Sequence, residues 1–121
     1  MSMIETPLMR GLERVLDRSA SRHQVIAANL ANIDTPGYRT RDLRPFAGEI
    51  EQAMAGSEPS FTPVAREIRG LLERPDGNNV SVERESLLLA QNQLRFQVTV
   101  QFMKAEFHRL TSAITGGGST S

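Results

Sequence analysis

Apolar residues recur at alternating steps of three and four along two long stretches of the chain, and between those stretches the periodicity fails. In the first, Met9, Leu12, Leu16, Ile26, Leu30 and Ile33 fall on one stripe, interrupted by Ser19 and His23 and widened by Val15 and Ala27. Such steps place side chains on one face of a helix. The opposite face carries Arg10, Glu13, Arg14, Asp17, Arg18, Arg22 and Gln24. In the second stretch, Val82, Leu89, Phe96, Val100, Met103, Phe107, Leu110 and Ile114 form a longer stripe that admits Ser86 and Gln93. Both stripes read as heptad seams.

The ends of the two helices are written in the sequence. Thr6-Pro7 is a start signal, a hydroxyl that accepts from a free backbone N–H followed by a proline whose missing donor costs nothing in the first turn. Pro36 disfavours the α conformation at Thr35, and Gly37 tolerates positive φ at the third position of a type II turn, so the first helix is expected to stop near Asp34. Asn29 and Asn32 lie one turn apart just before that stop, where the last carbonyls need donors. Ser81 can cap the second helix, with Glu83 and Glu85 in its first turn facing the positive end of the macrodipole. At 1.5 Å per residue the helices should run roughly 40 and 50 Å.

The segment between them is less regular. Pro45 could open a short helix through Phe46, Ile50, Ala53 and Met54, while Gly56 to Pro63, with two prolines, reads as loop. Val64 to Arg74 fits helix or strand, and Pro75-Asp76-Gly77-Asn78 is a turn. The chain therefore divides into a helix with its terminal turn (1–40), an irregular middle (41–79), a second helix (80–115) and a flexible tail (116–121). The expected fold class is all-α: an elongated, coiled-coil-like antiparallel pair of N- and C-terminal helices with an irregular middle segment. The packing residues should be Leu12, Leu16, Ile26, Leu30 and Ile33 on the first helix, and Leu89, Phe96, Val100, Met103, Phe107, Leu110 and Ile114 on the second. Burying six to ten such side chains per helix at roughly 1.5 to 3 kcal/mol each is the one term large enough to offset the ordering of such long helices. Val25, Leu87, Leu88, Leu94, Val98 and Phe102 lie off the seam and argue for further helices from neighbouring subunits.

Composition narrows the function. Fourteen basic and fourteen acidic residues give a formal net charge of zero over 121 residues, so no global field draws in nucleic acid or an anionic membrane. Cysteine is absent, which excludes disulfides and thiolate chemistry. No apolar run approaches the roughly 18 to 20 residues that span a bilayer, so direct membrane insertion is not expected. Glu5, Arg10, Glu13 and Arg14 break up the beginning of the chain, so no cleavable secretory signal is expected there. His23 and His108 are too few for a zinc site, although antiparallel pairing could bring their neighbourhoods together. Glu83 and Glu85 are explained by the helix dipole, and no nucleophile elbow or phosphate loop occurs. No catalytic residue, metal or cofactor is expected. Arg39, Arg41 and Arg44 bracket Asp42 and read as local pairing in a loop. Gln91, Asn92, Gln93, Gln97, Thr99 and Gln101 form an amide-rich band suited to an interface or to an ordinary polar face.

The run Ala28-Asn29-Leu30-Ala31-Asn32-Ile33-Asp34-Thr35-Pro36-Gly37-Tyr38 resembles the N-terminal signature of the rod, hook and filament-junction family of bacterial flagellar axial proteins. Asp76-Gly77-Asn78-Asn79-Val80, then Glu83-Arg84-Glu85 and Asn92-Gln93-Leu94-Arg95-Phe96-Gln97, is similar to the proximal rod members of that family. The resemblance covers roughly residues 8 to 44 and 76 to 114. It implies a structural subunit of the basal-body rod that packs helices into a tube transmitting torque. Asn29, Asn32, Asp34, Thr35, Pro36, Gly37, Tyr38, Asn78, Asn79, Asn92 and Gln93 are its signature positions, with Asn29 and Asn32 shaping the helix end that meets adjacent subunits. Implied partners are other rod subunits, both copies of this chain and proximal rod homologues, the adaptor between rod and membrane ring, the membrane ring and the export gate. The implied location is the rod in the periplasmic space, reached through the flagellar type III apparatus. Two alternatives remain open at this level: a soluble homo-oligomeric helical adaptor or chaperone, and a small hydrolase or metal-binding protein using His23 or His108.

Overall fold

The computed structural model describes residues 6–43 and 65–116. Arg44, the short helix expected from Pro45, the loop Gly56 to Pro63 and the tail beyond Gly116 lie outside the described residues. Two helices dominate: α1, Pro7–Ala31, and α2, Val82–Gly116, with the short strands β1, Arg41–Asp42, and β2, Arg66–Glu67, between them. The chain is essentially all-α, two long helices packed on each other.

Both helices begin as their sequences dictate. Thr6 Oγ1 accepts from the Met9 N–H at 3.1 Å, with Pro7 at the first helical position. Ser81 Oγ accepts from the Arg84 N–H at 3.2 Å. Regular α-helix in α1 stops at Ala31, three residues short of Asp34. The chain then tightens into three-residue steps, Ile33 N–H to Leu30 O at 3.3 Å and Thr35 N–H to Asn32 O at 3.0 Å. Orphan carbonyls at a helix end are met by such shorter bonds. The Tyr38 N–H reaches Thr35 O at 3.2 Å with Gly37 at φ 75°, the type II turn that Pro36-Gly37 specifies. In the segment Val64 to Arg74, left open between helix and strand, Arg66–Glu67 pairs antiparallel with β1, Arg41 opposite Glu67 and Asp42 opposite Arg66. Opposite charges thus face each other at both positions.

Three bonds fix α1 and α2 as antiparallel: Asn29 to Glu85, Asn92 to the Ser19 carbonyl, and Thr6 to Glu106. The face of α2 turned to α1 is polar along its length. Glu85, Asn92, Thr99 and Glu106 lie at successive seven-residue steps and are 0, 4, 5 and 8% exposed. Thr99 turns its hydroxyl back to the Arg95 carbonyl at 2.8 Å and so leaves its methyl for the interface. Leu89, Val100, Met103 and Leu110 flank this stripe half-buried, while Phe96, Phe107 and Ile114 are exposed. The seam thus differs from the expected one by a rotation of α2, because an apolar repeat reads the same whether its cover comes from inside the chain or outside it. On α1, Ile26 is buried and Leu12, Leu16 and Leu30 are half-buried, as is Ile33 just beyond the helix end.

Among the described residues the buried set holds four apolar side chains, Met9, Ile26, Leu43 and Val80, against eleven polar or charged ones. This interior has little apolar content to hold the helices together. Leu87 and Leu94 stand exposed on the side of α2 away from α1, and Val98 and Phe102 stand exposed on its flank.

Candidate functional site

The polar residues concentrate where α1 ends and α2 begins. Asn29, on the last turn of α1, uses its whole carboxamide. Nδ2 donates to Arg41 O at 2.9 Å and to Glu85 Oε1 at 2.8 Å, and Oδ1 accepts from the Tyr38 hydroxyl at 3.0 Å and the Arg41 N–H at 3.2 Å. An asparagine offers two donors and two acceptor positions, so this one is saturated. It meets Arg41 as a neighbouring strand would, through both backbone groups. Glu85 is fully buried, and its second oxygen takes the Arg84 guanidinium at 2.7 Å.

Asn78 and Asn79 perform the same service from the other turn. Asn78 Nδ2 donates to Asn32 O at 2.9 Å and Thr35 O at 2.8 Å, and its Oδ1 accepts from the Val80 N–H at 2.8 Å. Asn79 Oδ1 takes the Thr40 N–H at 2.7 Å, while the Thr40 hydroxyl donates to Asn79 O at 3.1 Å. Arg74 reaches the Ile33 and Val80 carbonyls with its two terminal nitrogens. Carbonyls freed by the end of α1 are therefore capped by side chains forty or more residues away in the chain. This is the local solution to a helix end that would otherwise lie buried without donors.

The two turns dock backbone to backbone. The Gly37 N–H donates to Asp76 O at 2.8 Å, and a Cβ on Gly77 would stand 3.3 Å from Gly37 Cα. Gly77 itself sits at φ 87°. At this position glycine is needed for both its dihedral and its lack of a side chain.

Outside the knot, Arg22 grips Asp42 bidentately, Nε to Oδ1 at 3.0 Å and Nη2 to Oδ2 at 2.9 Å, and ties β1 to α1. Arg39 bonds Glu67, Glu73 and Gly77 O. The Glu73 and Glu67 carboxylates push its pKa above the usual arginine value. At the far end of the pair, the Arg109 guanidinium holds the Glu106 carboxyl below its ordinary range against the opposing effect of burial. An open cleft of about 450 Å³ beside the turn is lined by Gly37, Tyr38, Arg39, Arg41, Ala65 and Glu67.

Of the signature positions, the structure gathers Asn29, Asn32, Thr35, Gly37, Tyr38, Asn78 and Asn79 into this knot. Asp34 and Pro36 lie exposed on its rim. Asn92 belongs instead to the helix interface, donating to Ser19 O at 2.8 Å, and its neighbour Gln93 faces out. Glu85, Arg74 and Thr40 are members that the sequence did not single out for this place. Glu85 was legible there as a dipole partner, but its burial depends on Asn29, 56 residues away. His23 is exposed and not on the seam, and His108 is exposed as well. Antiparallel pairing separates them, since His108 lies beside the level of Thr6 and His23 about 25 Å further along α1 at 1.5 Å per residue. Among the described residues no group of His, Cys, Asp and Glu could hold a metal ion, and no helix is long and apolar enough to cross a membrane.

The knot is an orienting device: it fixes the angle at which the chain leaves α1 and enters α2. Comparison with known proteins gives it a context. A family model of flagella basal body rod proteins matches residues 16–39, the second half of α1 and the turn through Arg39. The flagellar basal body rod protein FlgB of Bacillus subtilis (strain 168) is 30% identical over 90% of this chain and 94% of its own length. FlgB of Aquifex aeolicus (strain VF5) is 30% identical over 90% of this chain and 96% of its own. FlgB of Escherichia coli (strain K12) is 27% identical over 90% and 94%.

Proposed function

We propose that this chain, which belongs to the FlgB family of flagellar basal body rod proteins, is a structural subunit that joins the rod by burying the outer face of α2 against helices of neighbouring subunits. Its place is the flagellar basal body rod, in association with other basal-body components. The observation that carries the mechanism is the exposure of Leu87, Leu94, Val98 and Phe102, at 59, 62, 44 and 61%, on the back and flank of α2 that α1 leaves uncovered. Covering such half-exposed side chains recovers about half of the roughly 1.5 to 3 kcal/mol that each is worth, or about 4 kcal/mol for the strip. The polar interior of the helix pair makes this gain decisive. Contacts of this head-to-tail kind propagate instead of closing, as a tube requires.

The family resemblance extends the reading. The neighbours are copies of this chain and proximal rod homologues, and beyond them the adaptor to the membrane ring, the ring itself and the export gate. The subunit reaches the periplasmic rod through the flagellar type III apparatus. Its work there is mechanical: α1 and α2 carry torque, and the knot of Asn29, Asn78 and Glu85 sets the geometry at one end of each helix.

The test is the pair Leu94→Glu with Phe102→Glu. Both side chains are largely exposed, at 62 and 61%, so the dilute protein should keep the parent's helicity while basal bodies lack the subunit and cells lose motility. Normal swimming with the double variant in the rod would refute the assignment of this face.

A further inference from the structure

We propose that the buried polar stripe of α2, Glu85, Asn92, Thr99 and Glu106, is a register key that admits α1 of the same chain in one antiparallel alignment and leaves the apolar faces of α2 free. The observation is an inversion of the usual arrangement. Seven-residue steps of polar side chains are 0 to 8% exposed, while the large apolar Phe96, Phe107 and Ile114 of the adjoining stripes are 42, 49 and 64% exposed. Hydrophobic burial alone would rotate α2 the other way.

An apolar heptad is degenerate: sliding α2 by seven residues replaces one apolar level with the next and changes little. The polar contacts are not degenerate. Asn92 reaches the Ser19 carbonyl, which is accessible because serine is small, and a slip of one heptad sets the same carboxamide opposite Leu12 or Ile26. A buried amide left against an aliphatic side chain loses its partner and pays a desolvation penalty. The same slip takes Glu85 from Asn29 and Glu106 from Thr6. A single buried polar residue in a helix seam is known to fix register at a cost in stability, and here three, Glu85, Asn92 and Glu106, bond across it in line, while Thr99 satisfies its own hydroxyl within α2. This pairing forms within one chain, so it stands apart from whatever covers the outer face of α2.

The experiment uses the absence of cysteine. Cysteines placed at the exposed positions Ala20 and Ala105 carry spin labels, and electron–electron distances are measured on dilute protein. The two sites lie about 21 Å apart along the helix axis in the observed alignment, and a heptad slip changes that by about 10 Å. The parent should give one narrow distance. Asn92→Leu with Thr99→Val should add a second population shifted by about that amount. One unchanged narrow distance in the variant overturns the key, whatever happens to its melting temperature. Should the double variant fail to fold, Asn92→Ala, which removes the amide without adding apolar bulk, is read the same way.

Discussion

Replacing Asn29 with alanine should unfold the helix ends, and replacing Asn32 should not, although the two asparagines stand one turn apart in the same motif. Asn29 is fully buried and supplies one donor to the fully buried Glu85 carboxylate, one to Arg41 O, and acceptance for the Tyr38 hydroxyl and the Arg41 N–H. The Arg41 backbone belongs to an exposed residue, where water can replace the lost bonds. Glu85 and Tyr38 are left to bear the cost. Orphaning a buried neutral group costs about 1 to 3 kcal/mol and a charged one more, so Asn29→Ala should cost about 3 to 5 kcal/mol. Asn32 bonds Ala28 O and the Thr35 hydroxyl, both at the surface, so its alanine variant should cost about 0.5 to 1 kcal/mol. For a chain of this size the first corresponds to roughly 10 °C or more in melting temperature and the second to a few degrees. Thermal and urea unfolding followed by far-UV circular dichroism reads both. Equal losses, or a cost below about 1 kcal/mol for Asn29→Ala, would refute the account of the knot.

Three further outcomes follow from the same geometry. Gly77→Ala should cost more than Gly37→Ala in the same unfolding assay, because both pay about 1 kcal/mol or more for positive φ but only the Gly77 methyl meets backbone, at 3.3 Å. Arg22→Ala should cost about 2 kcal/mol and speed amide exchange at Asp42 and Leu43, since a largely buried carboxylate loses a bidentate partner. Glu106 has its folded pKa depressed by Arg109, so the stability it adds is present above the unfolded value of about 4.3 and disappears as pH falls through the folded value. A pH series of unfolding curves should therefore show a shallower acid limb below about pH 4.3 for Glu106→Gln than for the parent.

Local chemistry was legible because it is local. The Thr6 and Ser81 caps, the Pro36-Gly37 turn and the turn at Pro75 each depend on residues within a few positions, and each formed as the dihedral preferences require. The stop of α1 came three residues early because the Asn32 region tightens before the turn. What sequence could not show was which face of α2 meets α1. Its apolar positions outnumber what one partner helix can cover, so a search for the largest apolar stripe selected Phe96, Phe107 and Ile114, which are exposed. The seven-residue spacing of Glu85, Asn92, Thr99 and Glu106 was present in the sequence but resembles an ordinary hydrated face. Glu85 and Arg74 take their meaning from Asn29 and Ile33, far off in the chain, and no local propensity encodes that.

The claim that the outer face of α2 is completed by neighbouring subunits is tested most directly by sedimentation and circular dichroism on one concentration series of the purified protein. A mass that rises with concentration as oligomers or filaments form, starting from a dilute monomer that already holds the α1–α2 pair, is the predicted result. A fully helical monomer whose size and spectrum stay constant as concentration rises would contradict it.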